Sequence, residues 1–323
     1  MNQFSFTSES TLAAHFDHVI QPFWQQQVVQ GLFKGVADID IAYAYVVHPK
    51  AIGSVVIVSG RIESLLKYKE FVFDIYQQGY SVFIHDHRGQ GLSGRMTQDP
   101  QMGFVHSFDD YVADCKTFMH QVVNPLSRHK ASLICHSMGG AIGTLLVLDS
   151  PHLFKNIILS APMFGIKPTL PSWLAHLLLK SHALLSRMSG KEINYFFGQK
   201  GYSPNLFADN ELTHSAIRYQ LFRQEYEALP QLKLGGVTGH WLAAAIVAMD
   251  KIEQQVKEFP IPALVLQAGG DTVVDNTRQA RVANDMPHVK LVVIKDAKHE
   301  LIAEQDSYRD VCLGEMLTFI QQS

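Results

Sequence analysis

A short apolar run, Ala131 to Cys135, stops at His136-Ser137-Met138-Gly139-Gly140, and a helix-like segment, Ala141 to Leu148, follows at once. A strand that breaks directly into a helix points to a parallel sheet with helices on its faces. A serine at such a break sits on a sharp, strained turn with its hydroxyl pushed out of the sheet. Gly139 and Gly140 let helix and strand approach closely. The N–H of Met138 points to where a negative oxygen forms in acyl transfer. The usual spacing is G-x-S-x-G. Here Cys135 replaces the first glycine, which a small side chain can do without blocking the turn. Ser137 is therefore the candidate nucleophile and Met138 a candidate oxyanion donor, against the plainer alternative of a structural serine.

The rest of the chain repeats the alternation. Strand-like runs lie near Ile41–Val47, Ser54–Val58, Ser81–His85, Ala131–Cys135, Asn156–Leu159, Ala263–Gln267 and Lys290–Ile294. Helical patterns lie near Tyr68–Gln78, Phe108–Val123, Met138–Asp149, Thr277–Asp285 and Ser307–Gln321. Short β-rich runs between helical stretches are the mark of βαβ units. The alternation stops after Leu159-Ser160-Ala161-Pro162 and resumes at Ile261. Between them a leucine-rich stretch, Trp173 to Met188, and a more polar helix, Thr213 to Ala228, replace strands. The expected organisation is a core of residues 1–162 and 239–323, with residues 163–238 inserted as a helical cap over the catalytic face. A further helical stretch, Leu12 to Phe33, precedes the first strand, with Phe23-Trp24 as its anchor.

A serine nucleophile needs a base within hydrogen-bond reach and an acid to orient that base. On sheets of this kind they follow in the order Ser, acid, His, each after a strand. Gly269-Gly270-Asp271 follows Ala263–Gln267, and Asp296-Ala297-Lys298-His299-Glu300 follows Lys290–Ile294. Asp271 and His299 are thus the candidate acid and base, at the strand ends where open parallel sheets bind ligands. Asp275 and Thr277 compete for the capping role that Asp271 could otherwise hold. His299 follows the last strand, whereas His288 precedes it, and His136 is placed to pack beneath the turn. The second oxyanion donor is expected from Ser59-Gly60-Arg61-Ile62-Glu63, after Ser54–Val58. There Gly60 allows close approach and Arg61 offers its N–H. Asp86-His87-Arg88-Gly89-Gln90-Gly91-Leu92-Ser93-Gly94 is glycine-rich, yet it has neither G-x-G-x-x-G nor Walker spacing. It is expected to buttress the site.

Composition narrows the partners. The 323 residues are 47% hydrophobic and 18% charged, enough for a sizeable core. A net charge of -3 argues against a nucleic-acid partner, which needs a basic surface. Cys115, Cys135 and Cys312 share no metal-type spacing and read as buried free thiols. The N-terminal Met1-Asn2-Gln3-Phe4-Ser5 lacks the basic and apolar regions of a leader. No apolar run approaches the ~20 residues of a membrane span.

At these residues the sequence resembles the monoacylglycerol-lipase-like branch of the α/β-hydrolases, and within it bacterial inner-membrane lysophospholipases. The resemblance runs through Phe23-Trp24, Gly60-Arg61-Ile62-Glu63-Ser64 with Tyr68, and Asp86 to Arg95. It continues through His136-Ser137-Met138-Gly139-Gly140, Ala268-Gly269-Gly270-Asp271 and Ala297-Lys298-His299-Glu300-Leu301. It implies an α/β-hydrolase fold, Ser137 as nucleophile, Asp271 as acid, His299 as base, and oxyanion donors at Arg61 and Met138. Three positions depart from the lipases. Ser59 stands for their usual histidine, Ile62 for glycine, and Gln90 for the histidine of R-G-H-G.

The implied activity is acyl-ester hydrolysis of a lysophospholipid or monoacylglycerol, with no metal or organic cofactor and a peripheral place on the cytoplasmic membrane. Acyl transfer to a second lipid, a peptidase of the related aminopeptidase branch and a silent lipid-binding protein are the rivals. Gly60 and Glu63 of the turn, and Trp173 and Leu177 of the cap, are the candidate substrate contacts. Trp173, Leu174, Leu177, Leu178, Leu184 and Leu185, at roughly helical spacing, are expected to form an acyl trench. Arg61 is expected either to meet a substrate phosphate or to pair with Glu63 and brace the loop.

Overall fold

Eight strands pair into one sheet in the order β1-β2-β4-β3-β5-β6-β7-β8. They are β1 (Val29–Lys34), β2 (Asp40–Val46), β3 (Gly53–Val58), β4 (Tyr80–His85), β5 (Ala131–His136), β6 (Phe154–Ser160), β7 (Ala263–Ala268) and β8 (Val289–Ile294). β2 runs antiparallel to both of its neighbours, and every other pairing is parallel. The computed structural model describes residues 4–190 and 192–323. Met1 to Gln3, read above for a leader, lie outside the described residues.

The helices are α1 (Glu9–His15), α2 (Gln21–Gln27), α3 (Lys69–Gln77), α4 (Phe108–Phe118), α5 (Asn124–Leu126) and α6 (Met138–Asp149). After them come α7 (Ser172–Met188), α8 (Ala216–Ala228), α9 (Gly239–Gln255), α10 (Asn276–Asp285) and α11 (Asp306–Gln322). Successive strand side chains point to opposite faces, so each central strand feeds two cores. Val56, Val58, Leu133, Cys135, Ile157 and Val265 pack with α4, α6, α9 and α10. Val55, Ile57, Ile134, Ile158, Leu264 and Leu266 pack with α1, α2, α3 and α11. Burial on both faces is why these strands read as unbroken apolar runs.

Two readings need correction. The expected helix over Leu12 to Phe33 ends at Gln27, and Val29–Lys34 instead pairs with β2 as an edge strand. The β-branched pair Val28-Val29 favours that outcome. Gly31 seals it, because a Cβ there would fall 2.6 Å from the ring carbon of Tyr43 that bears the hydroxyl. The second correction is α9, which the strand-centred reading passed over. It packs on α6 and α4 through Trp241, Ala244, Ala245, Ala248, Met249 and Ile252. Gly239, where the second core segment was placed, is its first residue.

The segment between β6 and β7 carries α7 and α8 ahead of α9. α8 is held by a buried ion cluster. Its Arg218 meets Glu70 of α3 at 2.9 Å and Asp306 of α11 at 2.9 Å, and donates to the carbonyl of Thr7 at 3.1 Å. Among the described residues no helix is long and apolar enough to cross a membrane.

Candidate active site

Every expected catalytic residue follows the C-terminal end of a strand. Gly60 and Arg61 follow β3, Ser137 follows β5, Asp271 follows β7 and His299 follows β8. Ser137 has φ 53° and ψ -117°, a left-handed conformation that L residues reach only under strain. Its neighbours hold it there. The Ser137 N–H donates to the Ser160 carbonyl at 3.1 Å, and the Met163 N–H donates to the Ser137 carbonyl at 2.8 Å. α6 starts so close to β3 that a Cβ on Gly139 would lie 2.1 Å from the Val58 carbonyl oxygen. Cys135 is accommodated one helical turn on, where a Cβ on Gly143 would lie 2.2 Å from its sulfur.

The imidazole of His299 joins the other two groups. Its Nε2 lies 2.9 Å from Ser137 Oγ and its Nδ1 lies 2.7 Å from Asp271 Oδ2. An ionised carboxylate only accepts, so Nδ1 carries the proton and Nε2 is left to accept from the hydroxyl. Burial alone would raise the Asp271 pKa. The His299 bond and charge, with the N–H groups of Val274 and Val273, hold it below the usual carboxylate range. Asp275 has the other role considered for Asp271, capping α10 by accepting from the Thr277 and Arg278 N–H groups.

The loop after β3 is built around Glu63. Its carboxylate accepts from the Gly60 N–H, from Tyr68 Oη at 2.6 Å and from Lys67 Nζ at 2.7 Å. Burial would raise its pKa, but the Lys67 charge and these bonds bring it down to about 2. Lys67 also meets Glu300 at 2.6 Å, so one lysine is shared by two carboxylates. Gln90 donates to the carbonyls of Gly60 at 2.8 Å and Glu63 at 3.0 Å, and His87 Nε2 lies 3.0 Å from the Ser59 carbonyl. The glycine-rich turn after β4 thus props this loop from below. Met138, as the first residue of a helix, has no carbonyl of its own helix to receive its N–H. Ile62 adopts φ 62°, which explains a usual glycine at this place. The Tyr226 hydroxyl of α8 donates to the Ile62 carbonyl and secures that conformation.

These groups open into a cavity of about 520 Å³, within the range of small-molecule sites. Gly60, Arg61, Glu63, Ser137, Met138 and His299 line it, together with Ile62, Met163, Val274, Tyr202, Tyr219, Phe222, Arg223 and Trp241. Trp173 and Leu177, expected as substrate contacts, do not. They stand on the outer face of α7, 68% and 53% exposed. α7 instead turns His182 and Ser186 inward, where His182 Nε2 lies 2.8 Å from the Tyr195 carbonyl. The residues missed by sequence reading are on α8. Tyr219, Phe222, Arg223 and Tyr226 recur at helical spacing and face the cavity, a signal hidden by the polar character of that helix.

His136 lies beneath the turn, its ring 4.9 Å from that of His299. Burial lowers its pKa to about 4 against the opposing charge of Glu63, so it is neutral. Among the described residues, one group has metal-like spacing: the ligand atoms of His85, His87 and Cys115 lie within 4.8 Å of one another. Metal binding needs a thiolate, and burial pushes the Cys115 thiol well up.

The family model described as serine aminopeptidase, S33 (Hydrolase_4) matches residues 49–306. The chain belongs to this family. Within it, lysophospholipase L2 of Escherichia coli (strain K12) is 36% identical over 323 residues, covering 98% of this chain and 94% of that protein. A probable lysophospholipase L2 of Haemophilus influenzae is 31% identical, covering 89% of this chain and 90% of that one. Monoglyceride lipase of Rattus norvegicus is 23% identical over 84% of this chain and 82% of its own. The solved structure of a soluble monoglyceride lipase variant from Saccharomyces cerevisiae aligns with a TM-score of 0.68 at 17% identity, over 92% of this chain and 96% of that one. A carboxyl esterase from Bacillus coagulans aligns with a TM-score of 0.69 at 17% identity, over 92% and 99%. The fold of the Hydrolase_4 member described here is the α/β-hydrolase fold.

Proposed function

We propose that this protein is a serine carboxyl-ester hydrolase that removes the fatty-acyl chain of a lysophospholipid through Ser137, His299 and Asp271. The observation that carries this reading is the unbroken chain of contacts from Asp271 Oδ2 through His299 to Ser137 Oγ at the wall of a cavity. The names of the Escherichia coli and Haemophilus influenzae relatives support the lipid substrate. His299 takes the Ser137 proton as Oγ attacks the acyl carbonyl, and Asp271 stabilises the imidazolium that forms. The N–H groups of Met138 and Arg61 receive the oxyanion, each worth about 3 kcal/mol. His299 then protonates the departing glycerol oxygen, and water, activated in the same way, releases the fatty acid. Residues 163–238 act as the cap over residues 1–162 and 239–323.

The cavity's charges favour this over a peptidase. An aminopeptidase must hold a substrate ammonium on a free carboxylate. Here Glu63 is taken by Lys67, Tyr68 and the Gly60 N–H, Glu300 shares Lys67 through Oε1, and the cations Lys67, Arg61 and Arg223 line the same cavity and would repel an ammonium.

The outer face of α7 supports a peripheral place on a membrane. Trp173, Leu177, Leu184, Leu185 and Met188 stand exposed while His182 and Ser186 face inward. From Ser150 to Lys191 the chain has no acidic residue but does have Lys155, Lys167, Lys180, Arg187 and Lys191. An exposed apolar face with basic flanks suits an anionic lipid surface. Trp173→Asp with Leu177→Asp is expected to abolish flotation with phosphatidylglycerol vesicles while hydrolysis of a short-chain soluble ester is retained. Equal flotation of the variant would refute the assignment.

The activity itself is tested by fatty-acid release from a panel of lysophospholipids and monoacylglycerols. Ser137→Ala is expected to lose release and fluorophosphonate labelling together while keeping its thermal midpoint within a few degrees. Near-normal turnover in that variant would end the nucleophile assignment.

A further inference from the structure

Arg88, Arg218 and Arg309 are buried, while Arg61 and Arg223 are half-buried. Arg88, Arg218 and Arg309 each meet a carboxylate, at 2.6 Å from Asp114, 2.9 Å from Glu70 and 2.7 Å from Asp74. Arg61 and Arg223, in the wall of the catalytic cavity, do not. Among the described residues neither has a carboxylate within 4.0 Å. Arg61 donates through Nη2 to the Gly235 carbonyl at 2.5 Å, and its guanidinium carbon lies 5.4 Å from the centre of the Trp241 ring. Its Nε is buried with no hydrogen-bond partner. Burial brings the Arg61 pKa down to about 10 against the small opposing influence of Tyr111, so the group stays charged near neutral pH. Glu63, the acid expected to pair with it, is taken by Lys67, Tyr68 and Gly60.

Arg223 likewise meets aromatic rings and, among the described residues, no carboxylate. It stacks 5.2 Å from the ring of Tyr202, 5.8 Å from that of Tyr219 and 5.7 Å from that of Phe222. Its Nη2 is likewise buried and without a partner. Aromatic faces hold a guanidinium flat and leave its edge N–H groups free. The two arginines are brought to one cavity by Tyr226. That residue lies on α8 three positions after Arg223, and its hydroxyl bonds the Ile62 carbonyl next to Arg61.

A cation that is half withdrawn from water and meets no carboxylate is stabilised by a ligand that supplies the missing charge. A phosphate ester is the natural ligand, since its oxygens match the fork of a guanidinium and accept charge-assisted bonds. We infer that Arg61 and Arg223 together hold the phosphate of the substrate's headgroup, placing the acyl ester at Ser137. This rests on the ester-hydrolase reading above. It adds a selectivity between lysophospholipid and monoacylglycerol that the three catalytic residues cannot supply.

The test compares kcat/KM for lysophosphatidylethanolamine and for a monoacylglycerol of the same acyl chain, in wild type, Arg61→Met and Arg223→Met. The ratio of the two substrates is internal to each variant, so a general loss of folded enzyme does not move it. Each variant is expected to lower the phospholipid-to-glycerolipid ratio by about tenfold or more, chiefly through KM. Glycerophosphoethanolamine should inhibit monoacylglycerol hydrolysis by wild type and inhibit either variant about tenfold less well. An unchanged ratio in both variants would overturn the inference. Inhibition by inorganic phosphate as strong as by glycerophosphoethanolamine would assign the pair to free phosphate and overturn the headgroup assignment. If wild type released fatty acid from neither lipid, the hydrolase reading would fail by itself. Calorimetric binding of glycerophosphoethanolamine to Ser137→Ala, and its loss on adding Arg223→Met, would still decide for or against the pair.

Discussion

Two carboxylates four residues apart, Asp271 and Asp275, do different work because their lone pairs meet different donors. Asp271 Oδ1 accepts from the N–H groups of Val273 and Val274, which fixes the carboxylate and leaves Oδ2 for His299. The Asp275 carboxylate accepts from the first turn of α10. Asp271→Asn offers the imidazole an amide that favours the wrong tautomer, so kcat is expected to fall on the order of 10⁴-fold. Asp275→Asn keeps a good helix cap and touches no reacting group, so kcat should stay within about twofold. Steady-state kinetics of the pair decide it, and the reverse order of damage would mean the acid was misassigned. The contact of Asp271, His299 and Ser137 was legible in the sequence because each follows a strand, Ser137 and Asp271 after buried central ones and His299 after the half-exposed edge strand β8. The charge state of Arg61 was not. Whether it pairs with Glu63 depends on Lys67 and Tyr68, and only the fold shows that those two reach the carboxylate first.

At the scale of elements, what faces the cavity is decided by which side of a helix the core claims. α7 has the stronger apolar pattern, yet it buries His182 and Ser186 and leaves Leu177, Leu184 and Leu185 outside. α8 looks polar, yet it carries the aromatic lining, because Arg218, one turn before Phe222, is clamped by Glu70 and Asp306 and fixes the rotation of the helix. Periodicity reports that a stripe exists, not what will cover it. The same limit hid β1, whose single pairing partner replaces the helix its length suggested, and α9, whose alanines are core contacts despite little hydrophobic bulk. The α8 tether gives a prediction. Tyr226→Phe removes the hydroxyl that holds Ile62 in its left-handed conformation, next to the proposed Arg61 oxyanion donor. A loosened donor is expected to lower kcat by about tenfold, because oxyanion stabilisation depends on preorganised geometry. KM for a neutral ester should change little. The loss of one buried hydrogen bond should cost about 1 kcal/mol of stability. An unchanged kcat would show that the loop holds its shape without α8.

For the molecule as a whole, the decisive electrostatic feature is a set of buried histidines beneath the site. Burial lowers the His87 pKa to about 4, with the Ser59 carbonyl and Glu63 opposing only in part. Burial does the same to His136, and it holds His85 well below the ordinary value with the help of His87. In the unfolded chain these groups titrate near pH 6.5. A folded pKa below the unfolded one means that, between about pH 6.5 and 4, the unfolded state binds protons the folded state refuses. The histidines' contribution to stability is therefore full above about pH 6.5 and falls as the pH drops through that window, by up to ~1.4 kcal/mol per pH unit for each histidine. Glu63 and Asp271 have lowered carboxyl pKa values, so their contribution is lost only at more acid pH. The first loss on acidification thus belongs to the histidines. Asp86 opposes them, because burial raises its carboxyl to about 7 and it takes up its proton first in the folded state, so urea unfolding at pH 7 and pH 5 is expected to show a net fall in wild type that is smaller than the histidines alone would give. His87→Gln can still donate to the Ser59 carbonyl but binds no proton in the unfolded state. Its fall between the same two pH values should be smaller by about 2 kcal/mol, whatever the variant's stability at pH 7. Identical pH slopes for wild type and His87→Gln would show that His87 takes up its proton without unfolding, and would remove it from the set.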